Sequence, residues 1–130
     1  MSDARTGRQP PRFRSAAVVR TEERSAHLVR VTLGGGELAG LERGLPASSV
    51  RLLLPDADGT LPAIEWTGNE FLRPDGARPL LRTLTPLRVD AAANELDVEV
   101  VCHGASPLTA WARSAVAGSA VAVSGTGRGY

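Results

Sequence analysis

Residues 95–118 read ELDVEVVCHGASPLTAWARSAVAG, and two periodicities meet in them. In the first half Leu96, Val98 and Val100 alternate with Asp97 and Glu99, the period of two that marks a strand with one face in a core. Asp97 and Glu99 share the other face, so both are expected in solvent. In the second half, residues 106–115 are rich in helix-compatible side chains. Ser106 is a suitable N-cap, Pro107 stands at the first helical position, and Gly118 can close the helix in a left-handed conformation. This stretch therefore predicts a strand, a short connection and one helix.

Outward from it, the chain reads almost entirely as strands. Strands are expected over residues 15–20, 27–33, 47–54, 80–87, 95–102 and 119–124. In the second, Leu28, Arg30 and Thr32 lie on one face and Val29, Val31 and Leu33 on the other. In the third, Val50, Leu52 and Leu54 point inward. Residues 56–79 show little periodicity and predict a long loop, with at most a short strand around residues 63–66. The 14 glycines and nine prolines cut the sequence into short pieces, as expected for an all-β domain with many turns. The expected fold is a six-stranded antiparallel Greek-key barrel with one short helix between its last strands.

A length of 130 residues suits one domain, and a hydrophobic fraction of 42% permits a packed core. Only 4% of residues are aromatic, so that core must rest on Val, Leu and Ala. With 15 basic and 14 acidic side chains, the net charge of +1 exerts no general pull on nucleic acid or an anionic membrane. Arg5, Arg8, Arg12 and Arg14 read as a solvated tail over residues 1–13 and its junction with the barrel at 14–130. There is one cysteine, Cys102, hence no internal disulfide and no multi-cysteine metal site. No apolar run of membrane-spanning length or secretory signal is present, and a cytoplasmic location is expected.

For chemistry, the start of the helix at Ser106 offers unpaired N–H groups and the positive end of a dipole, a natural place for phosphate. Gly104 removes a side chain just before it. Arg82 and Arg88 flank Thr83-Leu84-Thr85-Pro86; arginine suits phosphate oxygens, and Thr85 adds a hydroxyl. Each of these features also has an ordinary structural role, as a helix cap, a solvated strand arginine or an edge proline. Cys102 and His103 are neighbours on a strand and point to opposite faces, so they do not form a catalytic pair, and Cys102 is expected to be buried. His27 and His103 are too few for a metal site unaided. Trp66, in the long loop, either shields a ligand or covers the barrel.

The run Arg82-Thr83-Leu84-Thr85-Pro86-Leu87-Arg88 resembles the Arg-x-Tyr-Thr-x-x-Arg flavin motif of siderophore-interacting proteins, within the ferredoxin-reductase-like superfamily. Leu96 to Gly104 resembles that family's strand ending in His-Gly, and Ser106 to Ala112 its Gly-Pro-Ala-Ser-x-Trp-Ala helix start. Residues 28–35 and 121–129 extend the resemblance to nearly the whole chain from Arg12. It implies a barrel that holds FAD. Arg82 would meet the phosphate or ring region, Thr83 and Leu84 would lie along the flavin, Thr85 would face the isoalloxazine edge, and Arg88 would complete the motif. Val101, Cys102, His103 and Gly104 would line the cofactor with backbone, and Ser106, Pro107, Leu108 and Thr109 would receive the pyrophosphate.

The implied activity is reduction of a ferric siderophore with electrons from NAD(P)H or ferredoxin through FAD, the nicotinamide-binding domain lying outside this chain. Leu84 replaces the family's tyrosine, removing an aromatic contact and a hydroxyl worth roughly 1–3 kcal/mol of affinity. That departure leaves a second reading open, a flavin-free barrel serving as a small-molecule-binding or protein-interaction module.

Overall fold

The computed structural model describes residues 13–39 and 49–125. Its strands are β1 (Arg14–Ser25), β2 (Leu28–Gly34), β3 (Val50–Leu53), β4 (Glu65–Trp66), β5 (Phe71–Leu72), β6 (Leu81–Leu84), β7 (Pro86–Asp90), β8 (Glu95–Val101) and β9 (Ala120–Gly125), with one helix, α1 (Pro107–Ser114), between β8 and β9. Seven of the strands form one antiparallel sheet in the order β6-β3-β9-β1-β2-β8-β7, while β4 and β5 pair as a separate hairpin.

The alternation in β8 sets the core. Leu96, Val98 and Val100 lie opposite Leu33, Val31 and Val29 of β2, and all six are buried. Stacked apolar cross-strand pairs on one face stabilise a sheet. Val50 and Leu52 of β3 and Val121 and Val123 of β9 extend this inner face. Trp111, Ala112 and Ala115 cover it from the α1 side, and α1 packs on β8 and β2. Among the described residues Trp111 is the one aromatic side chain in this cluster.

The sheet must curl. Seven strands about 4.8 Å apart would separate the two edges by roughly 29 Å if flat. Yet β6 at one edge and β7 at the other are joined by Thr85 alone, and two Cα steps reach only about 7.6 Å. The chain therefore binds the two edges together. The expected strand over residues 80–87 is thus two strands, which raises the count in this sheet from six to seven. Pro86 explains the break: it has no N–H to donate, and the backbone changes partner there, from β3 to β8.

Other expectations need smaller corrections. β1 runs on to Ser25 through an exposed polar stretch that carries no alternation. Phe13 is not part of a tail, because its ring packs edge-on against Phe71; the rest of the expected tail lies outside the described residues, as do residues 47–48 and 126–130 of other expected segments. The helix ends at Ser114 with an extended cap at Ala115, and Gly118 instead shapes the next turn, with its N–H donating to the Val18 carbonyl. Asp97 is buried, not solvated. It accepts a 2.8 Å bond from Thr32 Oγ1 and a 3.2 Å bond from Arg88 Nε. A buried carboxylate persists only with such partners.

Residues 56–79 are organised by a clasp. Arg73 donates through both Nη atoms to the Asp56 carboxylate at 2.9 and 3.0 Å. These bonds hold the Asp56 carboxyl below its ordinary value of 3.8. A lowered native value stabilises the fold above pH 3.8 and loses that contribution as the pH falls through it. The melting temperatures of the wild type and Asp56→Asn are therefore expected to differ slightly at neutral pH and to converge in acid. The difference stays small because about a third of each side chain is open to solvent, which screens the pair.

Candidate functional site

β7 pairs with β8 only from Asp90–Glu95 to Pro86–Val98. Beyond Thr85 the chain turns away into β6, which runs near β8 without pairing to it. Two backbone edges consequently stand without strand partners, β6 on the side away from β3, and β8 from Glu99 to Val101 on the side away from β2. The expected site falls on these edges. Arg82, Thr83 and Leu84 lie on β6 with Thr85 at the break; Val101 ends β8, and Cys102, His103 and Gly104 follow it. Val101 is 57% exposed, an unusual position for a β-branched apolar residue in a strand whose other valines are fully buried.

The register assigns faces. Arg82 and Leu84 lie opposite the fully buried Leu52 and Val50, whereas Thr83 lies opposite Arg51. Arg82 and Leu84 thus share the inner face, and Leu84 packs against the core cluster. Arg82 is half-buried, and its Nη1 donates to the Leu81 carbonyl at 2.9 Å; among the described residues it has no carboxylate partner. Arg88 differs. It pairs with Asp97 at 3.2 Å and Asp90 at 3.5 Å, which push its guanidinium above its ordinary value. In this arrangement Arg88 ties β7 to β8 while about half of its side chain stays exposed.

At the helix start the donors divide. Ser106 Oγ accepts the Thr109 N–H at 3.1 Å, the capping bond expected from sequence, and also contacts the Thr109 hydroxyl. Pro107 has no N–H, so the Leu108 amide is the first-turn donor left for a ligand. The Leu108 side chain meanwhile packs on the core cluster. Leu80, immediately before β6, and Pro107 line one cleft of about 560 Å³ together with Leu54, Ala110 and Trp111, which brings the start of β6 to the start of α1.

Gly104 has φ +57, and a Cβ built there would meet nothing within 4 Å. The left-handed backbone favours glycine, and the space above it stays open. Gly104→Ala is expected to cost about 1–2 kcal/mol from the left-handed conformation alone, read as a lower midpoint in urea unfolding.

Cys102 is buried and His103 is exposed, so they form no catalytic pair. Among the described residues no group of three or more His, Cys, Asp or Glu is placed to hold a metal, and no helix is long and apolar enough to cross a membrane. Sequence reasoning missed the Thr32–Asp97–Arg88 chain of bonds, because each member sits on a different strand. It also missed an aromatic cluster in which Phe71 packs against both Phe13 and Trp66, with the Arg51 guanidinium 5.9 Å from the Phe13 ring centre. Trp66 joins that cluster through Phe71.

Known proteins resemble this chain in sequence and fold. The family model described as the siderophore-interacting FAD-binding domain matches residues 17–129. An uncharacterised protein of Mycobacterium tuberculosis (strain H37Rv) is 35% identical over 121 residues, covering 87% of this chain and 42% of that protein. The NADPH-dependent ferric-chelate reductase of Escherichia coli K12 is 34% identical over 115 residues, covering 88% of this chain and 44% of the enzyme. The chain thus spans less than half the length of these relatives. Among solved structures, a siderophore utilization protein from T. fusca superposes with a TM-score of 0.69 at 29% identity, over 90% of this chain and 45% of that one. A ferredoxin NADP+ reductase from Neisseria gonorrhoeae, with bound FAD and NADP, superposes with a TM-score of 0.57 at 14% identity, over 91% and 39% respectively, and shares the fold.

Proposed function

The chain belongs to the siderophore-interacting FAD-binding domain family, and on that premise we propose that it is the flavin-holding part of an oxidoreductase that reduces ferric siderophores. FAD is the cofactor of the family. The residues suit such a group: Arg82 has no carboxylate partner among the described residues, Gly104 has open space above it, the Leu108 amide is a first-turn donor, and β6 and β8 each leave a backbone edge without a strand partner. The carboxylate-free Arg82 on the edge strand β6 carries the proposal. Arg82 would hold phosphate or the adjoining ring region, Thr85 the isoalloxazine edge, Val101 to Gly104 the flavin through backbone, and the turn from Ser106 the pyrophosphate. Arg88 acts here through Asp97, as a positioning residue. β6 and β7 count in this reading as one strand bent at Thr85, and the sheet closes as a six-stranded Greek-key barrel over residues 14–130.

When bound, FAD supplies the electron transfer; the chain's own task is to bind, orient and shield it. Electrons would come from NAD(P)H or ferredoxin through a nicotinamide-binding domain outside this chain. A ferric siderophore would accept them, in the cytoplasm, where the Cys102 thiol stays reduced. The test is a visible spectrum of the purified chain, then titration with FAD and FMN followed by flavin fluorescence. Saturable FAD binding with a rise in melting temperature is expected. Saturating FAD with neither signal would overturn the reading. One observation, a half-buried Leu84 packed against the core cluster where the family motif has tyrosine, favours the second reading in that event, a flavin-free interaction module.

A further inference from the structure

We propose that His27 and His103 form a surface docking site for a divalent first-row transition metal ion. They are the only two histidines in the sequence. The fold brings their rings to 6.2 Å between centroids, with planes inclined at 34°. Both are exposed, and among the described residues neither ring has a hydrogen-bond or ion-pair partner. Their backbones are held: the Cys102 N–H donates to the His27 carbonyl at 2.7 Å, continuing the β2–β8 ladder by one step. Arg113 Nη2 donates to the Ala26 carbonyl at 2.8 Å and ties the same turn to α1. The two imidazoles therefore stand on fixed supports, and little ordering is required for both to face one ion.

The spacing suits a shared ion. A metal–imidazole bond of about 2.0–2.1 Å, with the nitrogen about 1.2 Å from the ring centre, lets two rings on one ion stand up to roughly 6.5 Å apart. The observed 6.2 Å lies within that span, and small side-chain rotations close it to a tetrahedral or octahedral angle. Two protein ligands leave the remaining positions to water, so binding is weak and exchangeable, unlike a structural site. Imidazole suits divalent Fe, Ni, Cu and Zn, whereas hard oxygen donors suit Mg and Ca. Because His103 adjoins Gly104, the pair is placed to receive the divalent ion that reduction of a ferric chelate releases. That role rests on the proposed function; metal binding itself does not.

The experiment uses the full chain, free of any histidine tag, titrated with Ni²⁺ or Co²⁺ at pH 8 by calorimetry, with histidine ring resonances followed by NMR. One saturable ion per chain is expected, with both histidine ring signals perturbed and with Mg²⁺ inert. Affinity is expected to fall at least tenfold in His27→Ala and in His103→Ala, each with unchanged melting temperature because both rings are exposed. Absence of saturable binding up to millimolar metal, or binding unaffected by either substitution, would overturn the proposal. Loss of FAD binding alone leaves this outcome unchanged, so the two readings fail separately.

Discussion

Arg82→Ala is expected to weaken FAD binding by one to two orders of magnitude, while Arg51→Ala leaves it within about twofold. The contrast follows from the register of β3 and β6. Arg82 faces inward, half-buried beside the gap between β6 and β8, and carries no carboxylate partner among the described residues. Arg51 lies opposite Thr83 on the other face, with its guanidinium over the Phe13 ring. A charge-assisted bond from arginine to phosphate contributes about 1.5–3 kcal/mol, which is a factor of roughly 10–150 in affinity. Flavin fluorescence titration measures both variants. Equal losses from the two substitutions would remove Arg82 from the site.

Trp111→Ala is expected to lower stability by about 3–5 kcal/mol, a large share of the total for a domain of this size. Trp111 is 8% exposed and sits within the core cluster, where it fastens α1 to β8 and β2. With it gone, the Leu108 amide and the Ser106 cap lose their fixed place, so FAD affinity falls together with the melting temperature. Trp111→Phe separates the two contributions. The indole Nε1 is buried without a hydrogen-bond partner among the described residues. Phenylalanine removes that unsatisfied donor, worth about 1–3 kcal/mol, which offsets part of the lost contact area. Thermal and urea unfolding should rank the wild type and Trp111→Phe close together, with Trp111→Ala far below both.

What was legible in the sequence was local. The alternation of Leu96, Val98 and Val100, the inward face of Val29, Val31 and Leu33, and the Ser106-Pro107 helix start all depend on residues within a few positions of one another. Each appears as expected. Pro86 was readable as an edge or bulge signal, but its consequence was not. That the strand parts at Thr85 to serve both edges of one sheet depends on β3 and β8, which lie on either side of it in sequence. Asp97 fails the alternation rule for the same reason: Thr32 and Arg88 approach it from the two flanking strands and let the carboxylate stay buried. The Arg88 side chain matched a flavin motif by position, and only the fold reveals its pairing with Asp97. Convergence of His27 with His103, and of Phe13 with Phe71 and Trp66, likewise had no signal within any window of sequence.

The position of β9 has a consequence for how the molecule comes into being. It is the last strand in the described chain, yet it lies between β3 and β1, and it alone pairs β3-β6 with β1-β2-β8-β7. During synthesis, the ribosome must release residues 120–125 before the middle of the sheet can be filled. Until then two partial sheets present open edges to each other and to neighbouring chains, the condition in which strands join wrongly. A nascent chain halted after α1 is therefore expected to be sticky and unfinished. Once β9 emerges, its Val121 and Val123 slide between the two halves and complete the core in a single late step.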